Sequence, residues 1–290
     1  MPWLQLQINS SHDGAAEIEA ILFEAGSLSV TLQDNANQPL FEPKLGQTPL
    51  WEKTRVTGLF DAGIDMVSLM ATYPQLAAGK IEIVEDRDWE REWMANYKVM
   101  SFGKRLCICP SWLTPPDSSA VNLMLDPGLA FGTGTHSTTR LCLEWLDQQD
   151  LEGATVVDYG CGSGILSVAA LMLGASKVLS IDNDPQALLA TRENIKRNKI
   201  APSRLQILLP NQIPENIQAD VVIANILADP LCELSAILLR LLRPAGQLVL
   251  SGILEHQQHL VAERYRPAIN FSLAVQHEDW IRMQGTKGSE

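Results

Sequence analysis

The chain has 290 residues, of which 46% are hydrophobic and 19% charged, and its formal net charge at pH 7 is -12. This composition is typical of a soluble globular protein, and the negative charge argues against broad contact with nucleic-acid phosphates. No run approaches the roughly 20 apolar residues of a membrane span, and the first residues have no secretory-signal pattern. The five scattered cysteines form no C-x-x-C pair, which predicts reduced thiols in a cytoplasmic protein without a metal site.

Residues 1–85 predict a small α+β domain. Alternating apolar residues predict strands, and apolar residues three and four apart predict helices. In chain order, the predicted elements are strand PWLQLQI, helix GAAEIEAILFEAG, strand SLSVTLQ, strand WEKTRVTGLF, helix DMVSLMATYPQL (broken near its proline) and strand KIEIVE. The order β-α-β-β-α-β is the ferredoxin-like pattern.

The N-terminal part is the more acidic part of the chain. Residues 1–88 carry 13 acidic and 5 basic side chains. This excess has two interpretations, since it increases solubility and also attracts a basic partner. The next stretch, DRDWEREWMANY, places Trp89 and Trp93 four residues apart on a predicted linker helix at 86–97. We interpret the two tryptophans as packing residues of that linker.

Residues 98–290 predict an α/β domain with a doubly wound parallel sheet, because apolar strands alternate with helices. The predicted strands are TVVDY, KVLSID, RLQILL, ADVVIANI and GQLVLSGI, with further strands near FSLAVQHE and WIRMQ. The predicted helices are ILSVAALMLGA, PQALLATRENIKRN, PLCELSAILLRLLRP and EHQQHLVAERY.

The most specific cofactor signal is VVDYGCGSG at 156–164, where a buried strand is followed by a glycine turn and a helix. Glycines allow a tight turn and a close approach of the backbone to a ligand. A dinucleotide motif G-x-G-x-x-G requires glycine at Ile165 and uses the helix N-terminus for pyrophosphate. Asp158 beside the turn instead suits a ligand with an ammonium group and no phosphate, such as S-adenosylmethionine. A plain tight turn with a helix cap is the structural alternative.

Two further strand ends carry polar side chains. Asp182, which ends KVLSID, is suited to accept both hydroxyls of an adenosine ribose, and it does so equally well in a NAD site. Asn225 ends ADVVIAN beside the first strand, where amino-group methyltransferases often place Asn or Asp to orient the substrate nitrogen. A strand-end cap is the alternative for Asn225. A NAD-dependent dehydrogenase and a non-catalytic cofactor-binding module remain the rival classes of function.

A second glycine-rich stretch, DPGLAFGTGTHSTTR at 126–140, looks like a phosphate-binding loop but lacks the lysine of that motif. His136 and Ser137 stand near the position where the lysine is expected. His136 has two interpretations, a proton acceptor in catalysis or a side chain that caps the loop.

Together these motifs resemble the PrmA type of ribosomal-protein methyltransferase, and the resemblance covers essentially the whole chain. It rests on the glycine turn and on DWEREW, ICPSW, LDPGLAFGTGTHSTT and NILADP. Two positions depart from the family pattern, since Ser137 replaces a usual proline and Cys107 stands where an aromatic residue is common. Neither side chain is expected to take part in the chemistry.

The resemblance implies a Rossmann-like class I S-adenosylmethionine-dependent methyltransferase domain at 98–290, preceded by a ferredoxin-like substrate-recognition domain at 1–85. It implies methylation of lysine side-chain amines and of the N-terminal α-amine of ribosomal protein L11, free before assembly, by a cytoplasmic monomer. Another basic protein or amine is the alternative acceptor. No metal, membrane or nucleic acid is expected to take part.

The resemblance also implies the site residues. Asn225 is expected to orient the substrate amine, and Phe131 is expected to close over the adenosine together with its loop. The predicted cofactor-binding residues are Phe131, Thr138, Thr139, Asp158, Gly160, Gly162, Asp182 and Asn225.

Overall fold

The computed structural model describes residues 2–36, 38, 40, 48–85, 97–126 and 134–289. The chain divides into two compact units, Met1–Asn96 and Tyr97–Glu290. The predicted linker helix, up to residue 96, lies outside the described residues. Within the described ranges, no helix combines the length and the apolar character that a bilayer span needs.

In its described residues, the first unit is a four-stranded antiparallel sheet with two helices. Its strands lie in the order β2-β3-β1-β4. The elements are β1 (Trp3–Ser11), α1 (His12–Glu24), β2 (Ser29–Asp34), β3 (Lys53–Asp61), α2 (Met66–Thr72), a 3₁₀ turn at Pro74–Leu76 and β4 (Lys80–Val84). The element order is the one that the sequence predicts, including the end of α2 before Pro74.

The core of the first unit lies between one face of its sheet and the helices. Leu6 and Ile8 of β1 and Phe60 of β3 pack with Leu22 of α1 in one buried cluster. The helix begins after Ser11, whose hydroxyl accepts a hydrogen bond from the Gly14 amide. Such a cap satisfies an amide that the helix itself leaves without a partner.

The second unit contains eleven strands and six helices within its described residues. The strands are β5 (Met100–Phe102), β6 (Leu106–Cys109), β7 (Val121–Met124), β8 (Thr155–Tyr159), β9 (Lys177–Ile181), β10 (Leu205–Leu208), β11 (Ala219–Asn225), β12 (Leu242–Leu254), β13 (Ile269–Phe271), β14 (Val275–His277) and β15 (Trp280–Lys287). The helices are α3 (Ser137–Gln148), α4 (Ile165–Met172), α5 (Pro185–Arg197), α6 (Ala228–Glu233), α7 (Ser235–Leu241) and α8 (Gln258–Tyr265).

The main sheet of the second unit has the order β10-β9-β8-β11-β12-β15-β13, and β14 pairs with β15. The strands from β10 to β12 are parallel, as the sequence predicts. The sheet is mixed, because the predicted parallel arrangement does not extend to β15, which runs antiparallel to β12, β13 and β14. The two-residue connection between β14 and β15 accounts for the antiparallel pairing of these two strands, because so short a turn cannot join parallel strands.

Helices cover both faces of this sheet. Buried side chains of α3 and α4 form one cluster with Val156 of β8, and those of α6, α7 and α8 form another with Val157 of the same strand. Consecutive residues of a strand point to opposite faces, so β8 is apolar along both sides. The polar side chains at the carboxyl end of β8 therefore lie at the edge of a sheet whose two faces are both covered by helices.

Two smaller differences from the sequence prediction concern local structure. The predicted helix PLCELSAILLRLLRP is two helices, α6 and α7, separated at Leu234. The hydroxyl of Ser235 donates to the carbonyl of Cys232, a local hydrogen bond that competes with regular helix geometry. In addition, β5, β6 and β7 form a separate three-stranded sheet that the sequence reading did not predict as a unit.

Candidate active site

The glycine turn between β8 and α4 lies at the carboxyl edge of the main sheet. Gly160 has a φ of +77°, and its amide donates to the carbonyl of Ile181 at 2.7 Å. A Cβ atom at Gly160 would lie 2.3 Å from Cγ2 of Ile226, which follows β11. Glycine is therefore required here both by the backbone conformation and by the contact with the neighbouring strand end.

Asp182 follows β9 and is connected directly to the glycine turn. Its Oδ2 accepts from the Gly162 amide at 2.9 Å, and its Oδ1 accepts from the Asp184 amide at 3.0 Å. Each carboxylate oxygen has a second lone pair, so the group retains acceptor capacity for hydroxyl donors. The hydrogen bonds from the two amides hold the carboxylate in one orientation, and its remaining lone pairs can accept from a ligand in that orientation.

Asn225 ends β11, which lies between β8 and β12 in the sheet. Its Nδ2 donates to Oγ1 of Thr139 at 3.3 Å. Its Oδ1 is buried and has no hydrogen-bond partner among the described residues. A buried acceptor without a partner is costly, which makes this oxygen a position where an N–H donor from a ligand is favoured.

The N-terminus of α3 brings the two threonines to this edge. His136 is the N-cap residue, and its Nδ1 accepts from the Thr138 amide and lies 2.8 Å from Oγ1 of Thr138. The ring packs edge-on against Trp280, with 5.1 Å between the ring centroids. Burial lowers the pKa of His136, although the nearby Glu278 raises it. The interpretation of His136 as a capping side chain is confirmed.

The two threonines are both buried but have different partners. The hydroxyl of Thr138 contacts His136, and its carbonyl accepts from Ser251 at 3.4 Å. Only the hydroxyl of Thr139 contacts Asn225. Of the pair, Thr139 is therefore the residue whose side chain belongs to the polar group at the strand ends.

Asp158 lies inside the protein, beneath the glycine turn. It has no exposed surface, and its Oδ2 accepts from the hydroxyl of Ser167 at 2.6 Å. Ser167 is in turn 2.6 Å from the hydroxyl of Ser180. Burial raises the pKa of Asp158 to about 7. The structure places this carboxyl group against α4, because Asp158 shares the face of β8 that Val156 buries. Its contact with the cofactor stays a prediction.

Two supporting contacts have no clear signal in the sequence. Gly252 has a φ of +85°, and a Cβ atom there would lie 2.2 Å from the carbonyl oxygen of Ile226. Arg282 of β15 is buried, and its Nη1 donates to the carbonyl of Leu141 in α3 at 2.8 Å. The Ser251-Gly252 pair near the end of β12 is a weak sequence indication of the contact at Gly252. The contact between Arg282 and Leu141 joins residues 141 positions apart, and no local pattern indicates it.

Phe131 lies outside the described residues. Among those that are described, no group of three or more His, Cys, Asp and Glu side chains has an arrangement that could hold a metal ion. The fold brings Gly160, Gly162, Asp182, Asn225 and Thr139 together at the ends of β8, β9 and β11 and at the start of α3. These five residues form the candidate site.

Comparison with known proteins decides between the possible classes of function. The profile of the family described as ribosomal protein L11 methyltransferase (PrmA) matches residues 2–288. The chain belongs to the PrmA family. This family consists of S-adenosylmethionine-dependent methyltransferases, so the dehydrogenase alternative is excluded.

PrmA proteins of similar length are close in sequence. A ribosomal protein L11 methyltransferase from Cellvibrio japonicus (strain Ueda107) is 52% identical over 292 residues, covering 99% of each chain. The one from Enterobacter sp. (strain 638) is 54% identical over 293 residues, covering 99% of this chain and 100% of the other. A crystal structure of the ribosomal protein L11 methylase from Lactobacillus delbrueckii subsp. bulgaricus has 31% identity and a TM-score of 0.60, covering 66% of this chain and 100% of that one.

Proposed function

We propose that the chain transfers methyl groups from S-adenosylmethionine to lysine side-chain amines and to the N-terminal α-amine of ribosomal protein L11. Full-length similarity to proteins named for this substrate supports the proposal. The observation that carries it is the buried Oδ1 of Asn225, an acceptor without a partner among the described residues, next to the glycine turn. An amine substrate offers the N–H group that this oxygen lacks.

The residues at the strand ends fit an adenosine that carries no phosphate. Asp182 offers carboxylate lone pairs to the ribose hydroxyls, and the turn at Gly160 and Gly162 allows the backbone to approach the methionine part. When bound, S-adenosylmethionine supplies a methyl group on a positively charged sulfur. Phe131 and Thr138 remain proposed contacts of the covering loop, and for Asp158 we propose an indirect role, in which it supports the turn from below.

Asn225 orients the nucleophile in this proposal. Its Nδ2 is held by Thr139, so its Oδ1 accepts an N–H of the target amine and directs the nitrogen lone pair at the methyl carbon. Alignment of the reacting atoms at about 3 Å is the main source of acceleration. A lysine with its reference pKa of about 10.4 is mostly protonated at neutral pH, and removal from water favours the neutral amine that reacts.

The first unit is proposed as the substrate-recognition domain. Its strand order, read as β4-β1-β3-β2 and antiparallel throughout, supports a ferredoxin-like fold for residues 1–85. Its acidic excess favours a basic protein substrate. We propose residues 86–97 as the linker to a catalytic domain at 98–290, because several amines on one substrate require more than one relative position of the two parts.

The substrate is proposed to be free L11 in the cytoplasm, bound by a monomer without direct contact to nucleic acid. The net charge of -12 supports a protein rather than an RNA partner. Another basic protein or amine is the alternative acceptor.

The test combines the purified protein, labelled S-adenosylmethionine and L11, with intact-mass analysis of the product. We expect the mass of L11 to rise by whole methyl groups, and Asn225→Ala to lower kcat/KM about 100-fold, because a misplaced nucleophile has an effect of that size. Asn270→Ala, an exposed asparagine on β13, is the matched control with unchanged kcat/KM. Transfer to another amine but not to L11 would move the function to the alternative acceptor, and equal activity of Asn225→Ala would remove Asn225 from the mechanism.

A further inference from the structure

A groove of about 700 Å³ lies between α5 and β10, and no residue of the glycine turn lines it. We call it the basic groove and define it by three cations and three apolar residues that line it. These are Arg192, Lys196 and Lys199, with Ile200, Leu205 and Ile207. The lining contains no acidic side chain.

The three cations have no anionic partner. Arg192, Lys196 and Lys199 are exposed, and no carboxylate lies within ion-pair distance of them in the described part of the chain. Their neighbour Arg197, by contrast, pairs with Asp126 at 3.3 Å. Arg192 and Lys196 are four positions apart on one helix, an arrangement in which like charges repel each other.

Helix stability alone does not explain these residues. Lys196 lies in the last turn of α5, where a cation is favoured by the helix dipole. That effect is confined to the last turn, so it does not extend to Arg192. Lys199 lies beyond the helix and has a φ of +54°, a left-handed conformation that glycine adopts at much lower cost.

The strand beside the groove has a free edge. β10 is an edge strand of the main sheet, and within the residues that the structure describes it pairs with β9 only. The outer backbone groups of such a strand can pair with an added peptide strand. Because the groove also has an aliphatic floor, an extended peptide finds backbone, apolar and charged contacts in one place.

We propose that the basic groove binds an extended acidic segment of a partner protein, which adds to the edge of β10 and places its carboxylates on Arg192, Lys196 and Lys199. In an added strand every second side chain faces α5, so acidic residues at these positions reach the cations, and the apolar residues between them face the opposite side of the sheet. A single-stranded nucleic acid fits less well, because the lining has no aromatic side chain on which a base can stack. This surface is separate from the proposed methyl-transfer site, and its test does not depend on that activity.

The test is fluorescence anisotropy with the full-length protein and a fluorescein-labelled octapeptide of alternating glutamate and valine. We expect saturable binding that weakens as salt is added. The double variant Arg192→Glu/Lys196→Glu is expected to weaken it at least tenfold, whereas Lys104→Glu/Arg266→Glu, at exposed cations elsewhere, leaves it unchanged. No binding of the octapeptide, or equal loss in the control variant, overturns the proposal.

Two further probes separate the alternatives. An octapeptide with N-methyl groups on alternate backbone amides should lose at least tenfold in affinity if it adds as a strand, and unchanged affinity overturns that part of the proposal. Octauridylate should bind at least tenfold more weakly than the acidic peptide, and equal or tighter binding moves the groove to nucleic acid and overturns the proposal.

The variant Lys199→Gly tests whether weaker binding of the octapeptide could result from loss of folding. Relief of the left-handed conformation is expected to raise the melting temperature by about 2–4 °C, while the affinity for the acidic octapeptide falls at least threefold. Methyl transfer to L11 should be unchanged in this variant. A stabilised variant with undiminished affinity for the octapeptide would show that Lys199 does not serve binding.

Discussion

The two sheets of this protein bury their side chains in different ways. In the first unit, buried Leu6 and Ile8 alternate along β1 with the half-buried Gln5 and Gln7. In the second unit, the consecutive residues Val156 and Val157 of β8 are both fully buried, each in a different cluster. Among the described residues, the first sheet has helices on one face, and the second sheet has helices on both.

This difference decides where polar groups are buried. In the described part of the first unit, the buried polar side chains are the threonines Thr54 and Thr57. The second unit buries the carboxyl group of Asp158 and the guanidinium of Arg282. When helices cover both faces of a sheet, even the side chains near the ends of its central strands are shielded from water. Ionisable side chains are therefore buried in the second unit, whereas the sheet covered on one face leaves them in solvent.

The largest expected effect tests whether the two units are stable independently. Phe60→Ala removes a fully buried ring from the core of the first unit, and we expect a loss of about 3–5 kcal/mol of its unfolding free energy. Urea unfolding followed by circular dichroism should then show the first unit unfolding earlier, and the affinity for S-adenosylmethionine should stay within twofold. Leu179→Ala, in the core of the second unit, should have the opposite pattern. A single transition that shifts as a whole in both variants would contradict independent stability.

The next effect concerns the buried carboxyl group of Asp158, whose pKa burial raises to about 7. Between pH 4 and 7 the folded state keeps this proton and the unfolded state loses it, so the free energy of unfolding falls as pH rises, by at most about 1.4 kcal/mol for each pH unit. Asp158→Asn removes this dependence and retains an acceptor for Ser167. Denaturant titrations at pH 4, 5.5, 7 and 8 measure the free energy of unfolding of both proteins. The value for the variant should rise relative to that of the parent protein up to pH 7, and the difference should then stay constant. Asp279→Asn, at an exposed position, should follow the parent throughout.

A smaller effect distinguishes the ligand-binding edge from the rest of the second unit. Asp182→Asn removes the charge and one acceptor from the carboxylate proposed to hold the ribose, and we expect the affinity for S-adenosylmethionine to fall about 10- to 100-fold. Isothermal titration calorimetry measures this directly. Asp184→Asn is a close control, because asparagine also caps a helix well and the Asp184 side chain accepts from the Gln186 amide. Equal losses in the two variants would mean that the loop, and not the carboxylate of Asp182, determines affinity.

The smallest effect concerns His136, which caps α3 in the second unit. His136→Ala should cost about 1 kcal/mol of stability through loss of the cap and leave the shape of the pH profile of kcat unchanged. Steady-state rates between pH 6 and 9, with saturating substrates, measure that shape. Disappearance of an ionisation from the profile would restore His136 as a catalytic base.

The sequence predicts the central elements of both units because their signals are local. Alternation along β1 and β3, and the continuous apolar runs of β8, β9 and β11, determine which residues form strands. These local patterns do not determine whether a strand runs parallel or antiparallel to its neighbours. The turn between β14 and β15 consists of Glu278 and Asp279 and lacks the Asn-Gly or Asp-Gly pair that marks a hairpin, so the antiparallel end of the sheet gave no signal.

The site is predictable to the extent that it lies at strand ends. Because parallel strands end at the same edge, the positions of Gly160, Asp182 and Asn225 in the sequence predict their proximity. Asp158 lies one residue before the end of β8, and the pleat of the strand turns its side chain toward α4, a direction that the position of a strand end does not give. The contact of Arg282 with the carbonyl of Leu141 depends on the packing of β15 against α3, and no pattern within either element encodes it.

The two glycines beside Ile226 restrict sequence change to different degrees. A Cβ atom at Gly160 would meet the side chain of Ile226, whereas one at Gly252 would meet its backbone carbonyl. A shorter residue at 226 can therefore partly offset a substitution at 160, which makes these two positions epistatic. No substitution at 226 removes its own carbonyl, so position 252 has no compensating partner there. A change at 226 therefore lowers the cost of a substitution at 160, although the left-handed backbone at 160 still favours glycine, and at 252 no change at 226 lowers the cost.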